Sequence, residues 1–393
     1  MTRRSILDAA ARRSVGGSTD ITRRDFVTGA GVALIAATPG LPSIAAAGAV
    51  AEPSPAPTGA PLPKPDAALT RIAFGSCLNQ GRPQPIWPAI FAADPQLMVM
   101  LGDNVYGSTN VDTLEPLAAA YVAQAANPEF RAARAKLPML AIWDDHDFGR
   151  NDGGGDYVLR REAAEMFLAF WGALENRPAD GGLYQARSFG PAGQRVQLIL
   201  LDTRSFRSPL KPKSPSFPHW GRYEPDDDAS KTVLGPVQWS WLADRLAEPA
   251  DVRILVSSIQ VLAEGHGFER WGNLPAERRR LLKLVAGAAG GRTVIVSGDR
   301  HYGAIYAEAL AGGAAGDGTA GTGSSTDIVE LTASAMNMPT SGPAQDAIMA
   351  PLVSQIVARE NFGLVEIDWA GRRLSLGLRG VDGATFVARD VRI

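Results

Sequence analysis

The stretch Leu137–Asp152, "LPMLAIWDDHDFGRND", changes character at Trp143: an apolar run ends, and the twelve positions from Ala141 to Asp152 hold four aspartates, one histidine and one asparagine. The uncharged run "LPMLAIW" reads as a buried strand, because short continuous aliphatic runs suit strands covered on both faces. Carboxylates crowded at the edge of a core repel one another and are costly to desolvate. A bound cation is therefore the expectation, with Asp147 and Asp152 read as structural or solvated groups.

Further runs of the same kind occur along the chain: "TRIAFGS", "QLMVML", "VQLILL", "VRILVSS" and "TVIVSG". Between them "RREAAEMFLAFWGAL", "GPVQWSWLADRLAE" and "PAERRRLLKLVAGA" place apolar residues at helical spacing, with Pro236 at a first-turn position. Strands alternating with helices predict a layered α/β fold. The end, from Phe362 to Ile393, has three alternating runs with Gly turns and predicts antiparallel hairpins. The Pro-rich "SPLKPKSPSFPHWGRYEPDDDASK" and the Gly/Ala/Ser-rich "AGGAAGDGTAGTGSSTD" read as surface loops, the first overhanging a site.

In open α/β sheets ligands gather at the carboxyl ends of the strands. The residues that follow the runs are Cys77, then Asp103, Asn104 and Tyr106, then Asp144, Asp145, His146 and Asn151, then Asp202 and Arg204, and finally Asp299 and His301. Each alone has a structural explanation: a buried thiol, a Gly-Asp-Asn turn, a packed tyrosine, an Arg204–acid ion pair. Independent accidents should not all fall at strand ends. Asp and Asn oxygens suit Ca2+, Mg2+ or Mn2+, whereas thiolate, phenolate and imidazole suit a transition metal. A mixed centre bridged by Asp103 accommodates both sets, and neighbouring cations of this kind serve phosphoester hydrolysis.

With 393 residues, 45% hydrophobic and 20% charged, the chain can bury one large core or two. Net charge is −2; the first fifty residues carry six arginines and three aspartates, and removing that +3 leaves −5, which argues against a nucleic-acid partner. One cysteine excludes an internal disulfide framework. Arg23 and Arg24, an apolar run too short to span a bilayer, and small residues around Ala45–Ala47 read as a twin-arginine signal over 1–47. A Pro/Ala-rich linker over 48–69 and a single domain over 70–393 follow. Export to the periplasm or the outside, through the twin-arginine machinery and with no permanent membrane anchor, is the expectation.

The ordered set "FGSC", "LGDNVYG", "IWDDHDFGRND", "LDTRSFR", "LGPVQWSWL", "VSSIQ" and "VSGDRHYGA" resembles the alkaline phosphatase D, or PhoD-like, metallophosphatases over roughly residues 70–393. The resemblance implies a four-layer α/β/β/α sandwich. It also implies Fe3+ held by Cys77, Asp103, Tyr106 and the Asp299–His301 segment, with one or two Ca2+ shared through Asp103, and Mn2+ or Mg2+ as substitutes. Asp144, ranked ahead of Asp145, and Asn151 would be oxygen ligands. His146 would help proton transfer, and Arg204 would lie behind the ligands or orient phosphate oxygens.

The expected activity is hydrolysis of small phosphate monoesters, with diesters as an extension, by a metal-bound hydroxide. The alternatives are a secreted non-catalytic phosphate- or metal-binding protein and a phosphodiesterase- or phospholipase-type hydrolase. A serine hydrolase is disfavoured because no G-x-S-x-G elbow follows a strand. A thiol hydrolase built on Cys77 would need no metal.

Overall fold

The computed structural model describes residues 59–172, 177–310, 327–341 and 351–393. The expected signal segment, the first half of the linker (48–58), and all but the last residue of the Gly/Ala/Ser-rich loop lie outside these residues.

Six strands form the first sheet, in the order β12 (Thr385–Arg392), β11 (Arg373–Arg379), β10 (Phe362–Asp368), β1 (Arg71–Gly75), β2 (Leu97–Leu101), β3 (Met139–Ile142). The second runs β4 (Gln185–Phe189), β5 (Val196–Leu200), β6 (Val252–Ser257), β7 (Arg292–Ser297), β9 (Asp327–Ala333), β8 (Gly303–Ala309). Strands β1, β2 and β3 pair in parallel, as do β5, β6, β7 and β9; β10, β11, β12, β4 and β8 join antiparallel. Both sheets are thus mixed.

Side-chain alternation explains the layering. Along β2, Leu97, Val99 and Leu101 enter a core shared with Ile254, Val256, Val294 and Val329 of the second sheet. Met98 and Met100 face the other way, into a core with helices α1 (Trp87–Ala92), α2 (Glu115–Ala126), α3 (Pro128–Lys136) and α5 (Arg160–Trp171). On the second sheet, Ile199, Leu255 and Ile295 pack under α6 (Gly235–Ala247) and α7 (Pro275–Ala286). Three cores separate four layers, α/β/β/α, and central strands such as β2, β5 and β6 are buried along their whole length because their two faces enter different cores.

Helices α1, α2 and α3 and strands β4, β8 and β9 were not anticipated. Asn127 marks one start that was present in the sequence: its side-chain oxygen accepts from the backbone N–H of Glu129 and Phe130, both at 3.0 Å, with Pro128 in the first turn of α3.

The outer helices are tied to each other by Glu277 of α7, whose Oε2 accepts from Thr232 Oγ1 (2.6 Å) and Val233 N (2.7 Å), just before α6, and from Trp239 Nε1 of α6 (2.8 Å). Removing the carboxylate strands buried donors on three partners, so Glu277→Ala should cost about 3 kcal/mol. Urea unfolding measures this; a loss below about 1 kcal/mol would contradict it.

Candidate metal centre

The carboxyl ends of the parallel strands meet. Strand β1 leads to Cys77, β2 to Asp103, β3 to Asp144 and Asp145, and β7 to Asp299 and His301. Cys77, Asp103, Asp299 and His301 all adopt left-handed backbone, with φ of 59°, 51°, 70° and 57°. Such conformations cost a non-glycine residue about 1–3 kcal/mol and gather at functional sites. Gly102, at φ 99°, permits the approach of β2 to β3: a Cβ there would lie 2.5 Å from Asp144 Cβ and 2.8 Å from its backbone nitrogen.

Four overlapping triads result. Cys77, Asp103 and His301 form one, Asp103, Asp145 and His146 the next, Asp144, Asp145 and Asp299 the third, and Asp145, Asp152 and Glu269 the fourth, with the ligand atoms of each triad within 4.8 Å of one another. Asp103 is shared by two triads and Asp145 by three. Tyr106 OH donates to Asp103 Oδ2 (3.2 Å) and lies 3.0 Å from His301 Nε2. Cys77 Sγ lies 3.6 Å from Asp103 Oδ2 and 3.1 Å from Ser334 Oγ. His146 Nδ1 is 2.6 Å from Ser108 Oγ, and the His146 ring lies 4.2 Å from the Tyr106 ring, centroid to centroid.

Electrostatics marks the centre as short of positive charge. Burial, reinforced by Asp145, Cys77, Asp144 and Asp147, holds Asp103 well above the usual carboxylate range. Burial and then Asp144 do the same to Asp299. Burial pushes the Cys77 thiol up to about 11. Asp145 goes the other way: burial alone would raise it, but His146 and Arg204 bring it down to about 2. Buried oxygens without hydrogen-bond partners sit among these groups, namely Asp144 Oδ2, Asp145 Oδ1 and Asn104 Oδ1. Orphaned buried acceptors beside crowded acids, a thiol, a phenol and an imidazole fit hard and transition cations together.

A cleft of about 360 Å³ opens onto the centre, and Asp103, Asp145, Asp299, His146, Asn151 and His301 contribute to its lining. Two acids of the opening loop reach this cleft: Asp145, although the sequence ranks Asp144 ahead of it, and Asp152, which the sequence reads as structural or solvated. Asp144 lies behind Asp145, fully buried, its Oδ1 accepting from Arg204 Nε (2.6 Å) and Ser258 Oγ (2.6 Å). The reason is local: the short helix α4 (Asp145–Phe148) starts one residue after Asp144, and Asp147 Oδ2 accepts from the Asp144 backbone N–H at 3.1 Å. Asp147 also takes two bonds from Asn104, which makes it structural as read.

Arg204 also departs from one of its two expected roles. Its guanidinium is fully buried between Asp144 (2.5 Å) and Glu269 (2.7 Å), and it is absent from the cleft lining. Its donors are turned to two acids, so it holds Asp144 and cannot orient a substrate in the cleft. Neighbouring Asp202 fastens the two halves of the sandwich, accepting from Trp143 Nε1 (2.8 Å), Leu183 N (2.9 Å) and Ser205 Oγ (2.6 Å).

The cationic groups that do line the cleft are Arg222 and Arg300, and neither was singled out. Arg300 stood between Asp299 and His301, which was the signal available. Glu269 was missed because it follows no apolar run.

Two mixed six-stranded sheets carrying such a centre at their strand ends define a metallophosphatase-type fold. A solved PhoD structure shares it at a TM-score of 0.65 and 17% identity, covering 84% of this chain and 70% of that one. Purple acid phosphatase PPD1 from yellow lupin (Lupinus luteus) seeds does so at 0.55 and 12%, covering 84% and 54%. In sequence, residues 72–374 match the PhoD-like phosphatase family model, and the chain belongs to that family. Alkaline phosphatase D of Bacillus subtilis (strain 168) is 25% identical over 242 residues, which is 54% of this chain and 40% of that relative's length.

Proposed function

We propose that the protein is an exported, metal-dependent phosphatase that hydrolyses small phosphate monoesters, with diesters as further substrates. The observation that carries this reading is the chain of four ligand triads linked through Asp103 and Asp145, both of which line a substrate-sized cleft. Cys77, Asp103, Tyr106, Asp299 and His301 would hold iron. Asp103, Asp145 and Asn151, with Asp144 behind them, would hold calcium, or manganese or magnesium in its place. Such cations, when bound, neutralise phosphate charge and acidify water near neutral pH.

The chain's own groups supply the rest. The 2.6 Å contact between Ser108 Oγ and His146 Nδ1 orients the ring and leaves Nε2 as the nitrogen for proton transfer to a leaving oxygen. Arg300 and Arg222 bring positive charge to phosphate oxygens in the cleft. Arg204 positions Asp144 from behind. The paired arginines and the apolar run before Ala45 support twin-arginine export to the periplasm or beyond, with residues 1–47 as signal, 48–69 as linker and 70–393 as the domain. Among the described residues no helix is long and apolar enough to cross a membrane.

Elemental analysis of the purified protein, paired with turnover of nitrophenyl phosphate and bis-nitrophenyl phosphate, tests the reading. Stoichiometric iron and calcium with activity lost on chelation is the expected result, and the ratio of the two rates sets monoester against diester. Metals near background with activity surviving chelation would overturn it. Thiolate and phenolate on ferric iron should colour the protein, and Tyr106→Phe should shift or bleach the band.

A further inference from the structure

Besides the candidate ligands, the cleft is lined by residues of a different kind. Trp220, Phe268 and Tyr302 line it together with Arg222 and Arg300. Trp220 is 74% exposed, the most exposed large hydrophobic side chain among the described residues. Leaving so large an apolar surface in water forgoes the gain of burying it, so an indole held at a cleft mouth calls for a reason.

It is also held in place. The peptide N–H of Gly267 donates to Trp220 O at 2.7 Å, and the Gly267 carbonyl accepts from Arg222 N (2.7 Å) and Tyr223 N (2.6 Å). Gly221, at φ 140°, lets the two segments touch: a Cβ on it would lie 2.1 Å from the Gly267 carbonyl carbon. Past the tryptophan, Arg222 Nη1 (2.9 Å) and Tyr223 OH (2.8 Å) both donate to Asp152 Oδ2, which pins the excursion to the metal-centre loop. The backbone of Trp220 is thereby clamped while its ring stays open to solvent. Nearby, the Arg300 guanidinium lies 4.2 Å from the Phe268 ring centroid, so an aromatic surface with a cation across it borders the same cleft.

We infer that Trp220 is a specificity-determining residue and that the substrates are phosphate esters whose organic part is a planar aromatic group, stacked on its indole. This rests on the phosphatase reading above and adds the substrate class. A flat π-surface stacks on tryptophan without base-specific hydrogen bonds, and the cleft volume exceeds what a phosphate alone fills. Aryl phosphates and nucleoside monophosphates share this chemistry; they differ in how far the ring lies from the ester oxygen.

The test compares wild type, Trp220→Ala and Trp220→Phe on phenyl phosphate, adenosine 5′-monophosphate and glycerol phosphate. Trp220→Ala should raise KM about tenfold, about 1.4 kcal/mol, for an aromatic ester. The kcat should hold, glycerol phosphate should be unaffected, and Trp220→Phe should restore most of the loss. A KM effect on phenyl phosphate alone identifies an aryl substrate, and one on the nucleotide identifies a nucleoside. Equal change on all three esters, or no change on any, overturns the inference. Should the wild type hydrolyse none of them, the phosphatase reading fails separately, and calorimetric binding of the same esters decides. Tenfold weaker binding of an aromatic ester alone by Trp220→Ala supports the stacking role, and unaltered binding refutes it.

Discussion

Asp103→Asn is expected to lower kcat/KM on nitrophenyl phosphate by about 10³-fold, about 4 kcal/mol, and at the same time to make the metal-stripped protein harder to unfold. The first effect follows from position: Asp103 belongs to two of the triads and accepts from Tyr106, so a neutral amide there weakens two cation positions at once. The second follows from charge. Burial and four acidic neighbours hold the Asp103 carboxyl well above its usual range, so in the absence of cations its ionised form is strained. Asp147 and Glu269 are each raised by burial to about 8. An acid raised in the folded state keeps a proton that the unfolded chain releases near pH 4, so stability falls as pH rises above about 4. Metal-stripped wild type should therefore lose stability between about pH 4 and pH 8, and Asp103→Asn should be the more stable of the two at pH 8 by about 1–2 kcal/mol. Urea titrations at pH 5 and pH 8 in chelator read both slopes. A less stable variant at pH 8 would remove the electrostatic argument for a cation.

Arg204→Ala should be the most destabilising single change in the site, by about 4 kcal/mol. The guanidinium and both of its carboxylate partners are essentially solvent-free, with side-chain exposures of 0%, 1% and 1%. Removing it leaves Asp144 and Glu269 facing buried space, and Arg207, 2.9 Å from Glu269, compensates only one of them. Lysine cannot span both acids with a planar fork, so Arg204→Lys should recover only part of the loss. Chemical denaturation with an unchanged slope would place the effect in the folded state. A loss under 1 kcal/mol would mean that Asp144 finds another partner. The same variant should weaken metal retention, because Asp144 loses the group that orients it.

The expected strands and their terminal acids are where the sequence placed them for a single reason. Leu97, Val99 and Leu101 enter one core and Met98 and Met100 another, so the run has to be apolar throughout and stops where the strand ends. The polar residues beyond it are then conspicuous. Choices made one residue later were not readable. Whether Asp144 or Asp145 faces the cleft depends on where α4 begins, and the partner that claims Arg204 lies 65 residues further along, in a loop with no pattern of its own. The edge strand β4 escaped because one-sided burial leaves a mixed, short run, "QARSF", and β8 because its buried half is only four residues of the run "GAIYAEA". The grouping of strands into two sheets was legible only through the family resemblance, since spacing along the chain says nothing of which strands pair.

The contact between Gly221 and Gly267 divides responsibility within the molecule. Ligands for cations come from rigid strand ends, whereas the rim that meets the organic half of a substrate comes from two loops joined to each other through main-chain atoms. Because that joint uses no side chain, residues on either loop can be exchanged without disturbing it, provided the two glycines are kept. Substrate choice is therefore open to change at positions such as Trp220 and Phe268, whereas Arg222 and Glu269 on the same two loops are tied through Asp152 and Arg204 to the metal centre.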